Sequence, residues 1–343
     1  MTTFAELIVS WQRGHGRHGL PWQEKRDPYG IWVSEIMLQQ TQVATVIPYY
    51  RRFMSRFPDA RTLADAQLDE VLAHWSGLGY YSRARNMHRA AQLIRDVHGG
   101  DFPATFDDVA ALPGIGRSTA AAVMVFAYGA RHAILDGNVK RVLARVCGIA
   151  GYPGERATAE ALWRAAERLL PNDDLERYTQ GLMDLGATVC LRRQPKCDAC
   201  PVAQCCVALL EQRTGELPAP RPRKPLPHRN TVMVVLEYGG ELLLEKRPAS
   251  GIWGGLWCFP ELAAEEDIAM VCAQRYGVSV GAVQSLPRVE HGFTHFSLTI
   301  EPHRVTVTQV VPRAAEAAQL WLAVDRVQGV GIPAPVKRIL DLL

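Results

Sequence analysis

No apolar run in this 343-residue chain is long enough to span a bilayer: the longest, around Ala120 to Ala130, falls short of the roughly 20 residues a crossing helix needs. The N-terminus lacks the charged-then-apolar order of a secretion signal, so a soluble, cytoplasmic protein is expected. No single sign of charge dominates, since 38 Lys and Arg stand against 35 Asp and Glu. The small excess is uneven: residues 1–224 carry 28 basic against 23 acidic side chains, and residues 225–343 carry 10 against 12. A modest basic surplus is compatible with nucleic acid and does not establish it. No internal repeat is visible. A disulfide framework is not expected either, because Cys147, Cys205, Cys258 and Cys272 show no pairing pattern.

Four other cysteines carry the strongest signal. Cys190, Cys197, Cys200 and Cys206 follow the spacing Cys-x6-Cys-x2-Cys-x5-Cys. Thiolates at such intervals converge on one centre only if the backbone wraps tightly around it. Zinc suits four thiolates, but zinc ribbons usually pair two Cys-x2-Cys knuckles. One knuckle flanked by two single cysteines is nearer to a cubane loop, so the spacing favours a [4Fe–4S] cluster, with zinc as the rival. Cys206, rather than its neighbour Cys205, is taken as the fourth ligand.

Residues 214–228, TGELPAPRPRKPLPH, contain five prolines and no periodicity that could bury a face, so they predict an extended linker. Before it, apolar residues recur at three- and four-residue steps in 4–13, 31–47, 61–74, 83–97, 106–111, 117–128, 138–148, 157–170 and 175–188, which predicts an all-α region. After it, TVMVVLEY, ELLLEKRP, FSLTIEPHRVTVTQV and LWLAV predict strands, with helices at 265–276 and 334–342. The expected class is therefore multidomain, an all-α module followed by an α+β module.

Leu112-Pro113-Gly114-Ile115-Gly116 lies between two helical segments. Glycines on either side of one apolar residue permit a tight hairpin whose N–H groups can hold a phosphate at the start of the next helix. Alone, such a sequence is more often an ordinary connection. Twenty residues on, Asp136 in Leu135-Asp136-Gly137-Asn138-Val139 is placed as an N-cap, which is also the commonest role of such an Asp.

LPGIGRSTA, LDGNVKRV and the cysteine loop together resemble the helix-hairpin-helix DNA glycosylases related to endonuclease III. WVSEIMLQQTQV (32–43) and GLGYYSRARN (77–86) narrow the likeness to the MutY family of adenine DNA glycosylases, over nearly the whole chain. WGGLWCFPE (253–261) and FTHFSL (293–298) resemble the Nudix-like C-terminal domain of that family. The resemblance implies 1–213 as the helical catalytic region. Within it lie a six-helix module at about 21–134 and an iron–sulfur module of residues 1–20 with 135–213, whose cluster loop is 190–206. It implies 229–343 as the 8-oxoguanine-recognition domain.

The implied reaction is hydrolysis of the N-glycosidic bond of adenine mispaired with 8-oxoguanine or guanine in double-stranded DNA, by a monomer. Such a step needs an acid on the base and a negative charge near the sugar. By resemblance Glu35 is the acid, Asp136 the stabilising carboxylate, and Asn138 orients the sugar or the water. Trp22, Gln180 and Ser118 correspond to the adenine pocket. Bifunctional relatives carry a lysine where Ser118 stands, and a serine cannot form a Schiff base, so a monofunctional enzyme is expected. Gln40 and Tyr80 correspond to residues that enter the base stack. Leu112, Gly114, Gly116, Lys140, Arg192, Arg193 and Lys196 are expected on the DNA backbone. Phe293, Thr294 and His295 correspond to the loop that reads 8-oxoguanine.

Gly255 and Glu261 start a Nudix pattern that can be aligned backwards from Gly277-Val278. Met270-Val271 and Gln274-Arg275 replace the metal-binding positions, so this domain is expected to bind rather than hydrolyse. Two other readings stay open: a bifunctional pyrimidine or thymine glycosylase on the same scaffold, and a non-catalytic iron–sulfur DNA-binding protein.

Overall fold

Capping signals in the sequence set the first helices of the computed structural model, which describes residues 2–222, 225–311 and 318–343. Thr3 and Glu6 form a reciprocal capping box at the start of α1 (Phe4–His15). Asp27 accepts from the amides of Tyr29 and Gly30 ahead of Pro28, the first residue of α2 (Pro28–Leu38). The helix expected over 31–47 is in fact two. It ends at Leu38, Gln40 turns into the left-handed region with φ 59°, and α3 (Val43–Arg56) begins after Gln42. Gln42 therefore lies outside the helix that carries Glu35. Left-handed backbone at a non-glycine costs on the order of 1 kcal/mol, and here buried residues on both sides, Ile36, Met37 and Val46, hold it in place. The helix expected over 61–74 likewise divides, into α4 (Ala60–Asp65) and α5 (Leu68–Trp75).

The remaining helices of this part follow the apolar spacing: α6 (Ser82–Val97), α7 (Phe106–Ala111), α8 (Arg117–Tyr128), α9 (Gly137–Val146), α10 (Arg156–Arg168), α11 (Leu175–Thr188) and the single turn α12 (Val207–Leu210). Contacts divide the chain into two units, Met1–Asp65 with Arg89–Arg223, and Ala66–His88 with Lys224–Leu343. This division differs from the linear one expected from the sequence.

In the first unit, α11 is wedged between α1 and α9 by two glycines. A Cβ on Gly181 would lie 2.7 Å from Ile8 Cγ2, and one on Gly186 would lie 2.6 Å from Asn138 Cβ. Ile8, Val139, Val142, Leu143, Leu182 and Leu185 close the core around that contact. The start of the expected linker also belongs here. Leu217 is buried, its carbonyl accepts from Arg145 Nε at 2.8 Å, and Ala219 donates to the Gly151 carbonyl. Residues 223–224 of the linker lie outside the described residues.

The second unit is built on a sheet. Its strands are β1 (His228–Tyr238), β2 (Glu241–Lys246), β3 (Trp257–Cys258), β4 (Glu261–Leu262), β5 (Val278–Ser285), β6 (Val289–Gly292), β7 (Ser297–Val310) and β8 (Gln319–Ala323). The main path runs β3-β2-β1-β7-β5, with β1 and β7 parallel from His228↔Ser297 to Glu237↔Thr306. Val232, Val234, Leu236, Leu243, Val305 and Val307 face a core shared with α13 (Ile268–Val271). The helix expected over 265–276 is shorter, ending in a π-turn at Cys272–Tyr276 that Gly277 closes with φ 65°. The C-terminal helix, α14, spans Ala334–Leu340.

Ala66–His88 joins this unit through specific bonds. Ser76 Oγ and Tyr81 OH both donate to the Ile332 carbonyl, at 3.1 and 2.9 Å. Arg85 donates to the Gly254 carbonyl at 2.7 Å, and Lys246 pairs with Asp69 at 2.6 Å.

Candidate active site

Glu35 faces a cavity of about 590 Å³ in the first unit, lined also by Arg17, Trp22, Gln23, Ser34 and Gln180. α2 presents Glu35 while burying Trp32 and Ile36 beside it. Burial pushes the Glu35 carboxyl up to about 8, and the negative charge of Asp136 adds to the effect. Trp22 packs edge-on against Tyr50, with ring centroids 5.3 Å apart, and forms an apolar wall.

Asp136 caps α9: its Oδ1 accepts from the Val139 amide at 2.7 Å. Burial is the largest influence and leaves its proton affinity raised, although the Val139 and Asn138 amides and the cations Arg141 and Lys140 offset part of the rise. The two carboxyls thus differ in kind. Burial and a like charge both act on Glu35 to keep its proton, whereas Asp136 also has amides and cations that favour its charge. Asp136 and Asn138 do not line the cavity; Asp136 lies near enough to Glu35 for its charge to act there.

Ser118 does not line the cavity. Its Oγ accepts from the Leu135 amide at 2.9 Å and so fixes the residue that leads into Asp136. Asn138 Oδ1 accepts from Arg141 Nη2 at 2.9 Å, and the same guanidinium donates to the Gly186 and Cys190 carbonyls. Three residues that sequence reasoning missed, Arg17, Gln23 and Asp184, are tied to Gln180 at the cavity wall. Their only sequence signal is the four-residue spacing of Gln180 and Asp184 on one helix face.

At the hairpin, Leu112 and Ile115 are buried, while Gly114 adopts φ 81° and Gly116 precedes α8. A Cβ on Gly116 would meet no atom within 4 Å, so the turn is open on that side. Gln40 is exposed. In the second unit Tyr80 is 46% exposed at φ 49°, between Gly79 at φ 71° and the bulk of Tyr81. Both therefore project from strained backbone, a setting that recurs at functional sites.

Cys190, Cys197, Cys200 and Cys206 line one cavity between α9, α11 and their own loop. Burial raises the thiols of Cys197, Cys200 (to about 11) and Cys206, and charge on the neighbouring sulfurs adds to it. Cys205 is exposed and turns its sulfur toward the Val202 carbonyl instead. Arg145, itself buried, donates to Cys190 Sγ at 3.3 Å. Among the described residues no three His, Cys, Asp or Glu side chains converge as a single-ion site. Arg192, Arg193 and Lys196 are exposed on the same loop, and Lys140 is half-buried beside Asp136.

In the second unit β6 and β7 meet at Gly292↔Ser297, leaving Phe293–Phe296 as a four-residue hairpin tip. Phe293 stacks on Phe296 with centroids 4.4 Å apart, and Thr294 and His295 are exposed at the apex. Glu261, the remaining Nudix-pattern acid, pairs with Arg247 and accepts from Thr231.

Residues 33–168 match the HhH-GPD superfamily base excision DNA repair protein family, and residues 231–342 match the NUDIX domain family. The adenine DNA glycosylase of Buchnera aphidicola subsp. Acyrthosiphon pisum is 36% identical over 339 residues, covering 98% of this chain and 97% of the relative. The adenine DNA glycosylase of Homo sapiens is 33% identical over 407 residues, covering 99% of this chain and 73% of its own length. Among solved structures, a thermostable thymine-DNA glycosylase superposes with a TM-score of 0.56 at 30% identity, over 61% of this chain and 95% of that one. An endonuclease III–DNA complex shares the fold at a TM-score of 0.52 and 20% identity, over 61% of this chain and 94% of that one. No helix among the described residues is long and apolar enough to cross a membrane. With likeness on this scale running through both its helical and its sheet-built parts, the chain belongs to the adenine DNA glycosylase family.

Proposed function

We propose that this chain excises adenine paired with 8-oxoguanine, and more weakly with guanine, from double-stranded DNA, acting as a monomer and without cutting the strand. The observation that carries the reading is the Glu35 carboxyl, raised to about 8 at the wall of a cavity roomy enough for a nucleobase, with Asp136 close enough to add to the shift. An adenine rotated out of the duplex enters between Trp22 and Gln180. Glu35, protonated at neutral pH, gives its proton to N7 of the base and so makes adenine a leaving group. Asp136 stays ionised beside Lys140 and Arg141 and stabilises the cationic sugar as the bond breaks. Asn138, held by Arg141, orients the sugar or the incoming water. Ser118 keeps the Asp136 turn in place and provides no amine, so no covalent imine forms.

The four thiols suit a [4Fe–4S] cluster, because all four line one pocket between α9, α11 and their own loop. When bound, the cluster supplies a rigid staple for the loop that carries Arg192, Arg193 and Lys196 to the DNA backbone. The Leu112–Gly116 hairpin offers backbone amides to a further phosphate. Gln40 fills the space left by the extruded base, Tyr80 stacks beside the opposite one, and the Phe293-Thr294-His295 tip reads 8-oxoguanine. The test is a base-release assay on duplexes with adenine opposite each normal base and 8-oxoguanine, with and without hot alkali. Expected are alkali-dependent breaks, strongest opposite 8-oxoguanine. Breaks before alkali would instead support a bifunctional enzyme.

A further inference from the structure

Asp184 is fully buried, yet its carboxylate binds two residues of the base cavity's wall, Arg17 and Gln180. Its Oδ2 accepts from the Arg17 amide at 2.8 Å, and its Oδ1 accepts from Arg17 Nε at 2.6 Å and Gln180 Nε2 at 2.8 Å. A carboxylate only accepts, so Gln180 must turn its NH2 toward Asp184. Its carbonyl Oε1 then faces the other way, where Gln23 Nε2 donates to it at 3.2 Å. Gln23 cannot turn over either, since its own Oε1 accepts from the Leu20 amide at 3.1 Å. One buried charge thus orders two amides. A carbonyl oxygen has two lone pairs, and Gln23 uses one of those on Gln180.

We propose that Asp184 is the positioning residue for base choice: by fixing the amide of Gln180 it makes that side chain an obligate acceptor toward the base. Adenine meets an acceptor with its 6-amino group. Guanine and hypoxanthine carry a 6-oxo group at the same place, and acceptor then faces acceptor, the arrangement that discriminates most strongly between related bases. The inference rests on the cavity being where the base binds.

The test replaces Asp184→Asn, whose amide can offer either an acceptor or a donor, so that Gln180 is free to turn over. Single-turnover release of adenine and of hypoxanthine opposite 8-oxoguanine is compared with duplex affinity. The preference for adenine is expected to fall about tenfold or more, with hypoxanthine release gained rather than both rates lost. Gln180→Met, which leaves Asp184 in place, is expected to give a similar fall and serves if Asp184→Asn does not fold. Adding Asp184→Asn to Gln180→Met should change the preference no further. An unchanged preference in either single variant, with both rates reduced alike, would make Asp184 only a staple between α11 and the segment after α1, and would overturn the proposal. Should Glu35→Gln still release adenine, the cavity reading fails; should Glu35→Gln be inactive while the preference stays unchanged, this inference alone fails.

Discussion

Asp136 helps to keep the proton on Glu35. Burial is the larger cause, but the negative charge of Asp136 adds to it and lifts the Glu35 carboxyl to about 8, while Lys140, Arg141 and two backbone amides draw Asp136 toward its ionised form. Burial raises both carboxyls, and the cations and amides around Asp136 offset part of its rise, so Glu35 is the stronger holder of a proton.

Glu35 should therefore trade stability for activity. Its native pKa of about 8 lies above the ordinary 4.5, so the native state binds the extra proton between those values. Stability is full below pH 4.5 and is lost as pH rises through about 8. Glu35→Gln removes that dependence. At pH 8 the variant is expected to be more stable by roughly a few kcal/mol, with the gap closing toward pH 4.5, and to release no detectable adenine. Denaturation across this range, with base release in parallel, checks both. In the unmodified enzyme excision should decline as pH rises through about 8.

Gly186→Ala should damage the site from behind. The new Cβ would lie 2.6 Å from Asn138 Cβ and 3.1 Å from its backbone oxygen, so α9 itself must move. A cost of about 1–3 kcal/mol is expected. Excision should slow more than duplex binding weakens, because Asn138 lies two residues from Asp136. A variant with wild-type melting and turnover would show that the helices separate freely.

The two adjacent cysteines separate cleanly. Cys206 lines the shared cavity and Cys205 is exposed outside it. Cys206→Ser is expected to lower iron and sulfide content and the visible absorption of the purified protein, and Cys205→Ser to leave all three unchanged. The reverse pattern would move the fourth ligand by one residue.

Much of this was legible in the sequence, and the exceptions share a cause. Helices with Gly, Pro or Asp stops fall where the apolar spacing puts them, and the cysteine spacing marks a real cavity. The break at Gln39–Gln42 is hidden because glutamine favours helix and no glycine marks the left-handed turn. Asp184 is hidden because an acid on a helix is usually solvated, and only the approach of Arg17 from a distant segment accounts for its burial. The transfer of Ala66–His88 to the second unit is hidden for a further reason: Ser76, Tyr81 and Arg85 bind backbone carbonyls, which every residue has.

At the hairpin tip, His295→Ala should weaken the preference for 8-oxoguanine over guanine while leaving the adenine site untouched. His295 is exposed at the apex, and Phe293 anchors the turn beneath it on Phe296. Removing the imidazole should not unfold the tip. Comparing excision rates on the two mispairs checks the effect; an equal fall on both would indicate a general DNA contact instead of a reader.

The Ile332 carbonyl accepts from two side chains, and this redundancy gives a non-additive expectation. Tyr81→Phe or Ser76→Ala alone removes one donor and leaves the other at 3.1 or 2.9 Å, so each should cost less than about 1 kcal/mol. Together they leave that oxygen with neither donor, and the cost should rise to about 1–3 kcal/mol, more than the two single effects combined. The same double variant loosens the segment that holds Tyr80 in its left-handed conformation, so discrimination for 8-oxoguanine should fall with it. A double-mutant cycle by chemical denaturation of the full chain, with excision opposite 8-oxoguanine and guanine, measures both. Additive losses with unchanged discrimination would mean that the two bonds stabilise the unit without setting the Tyr80 segment.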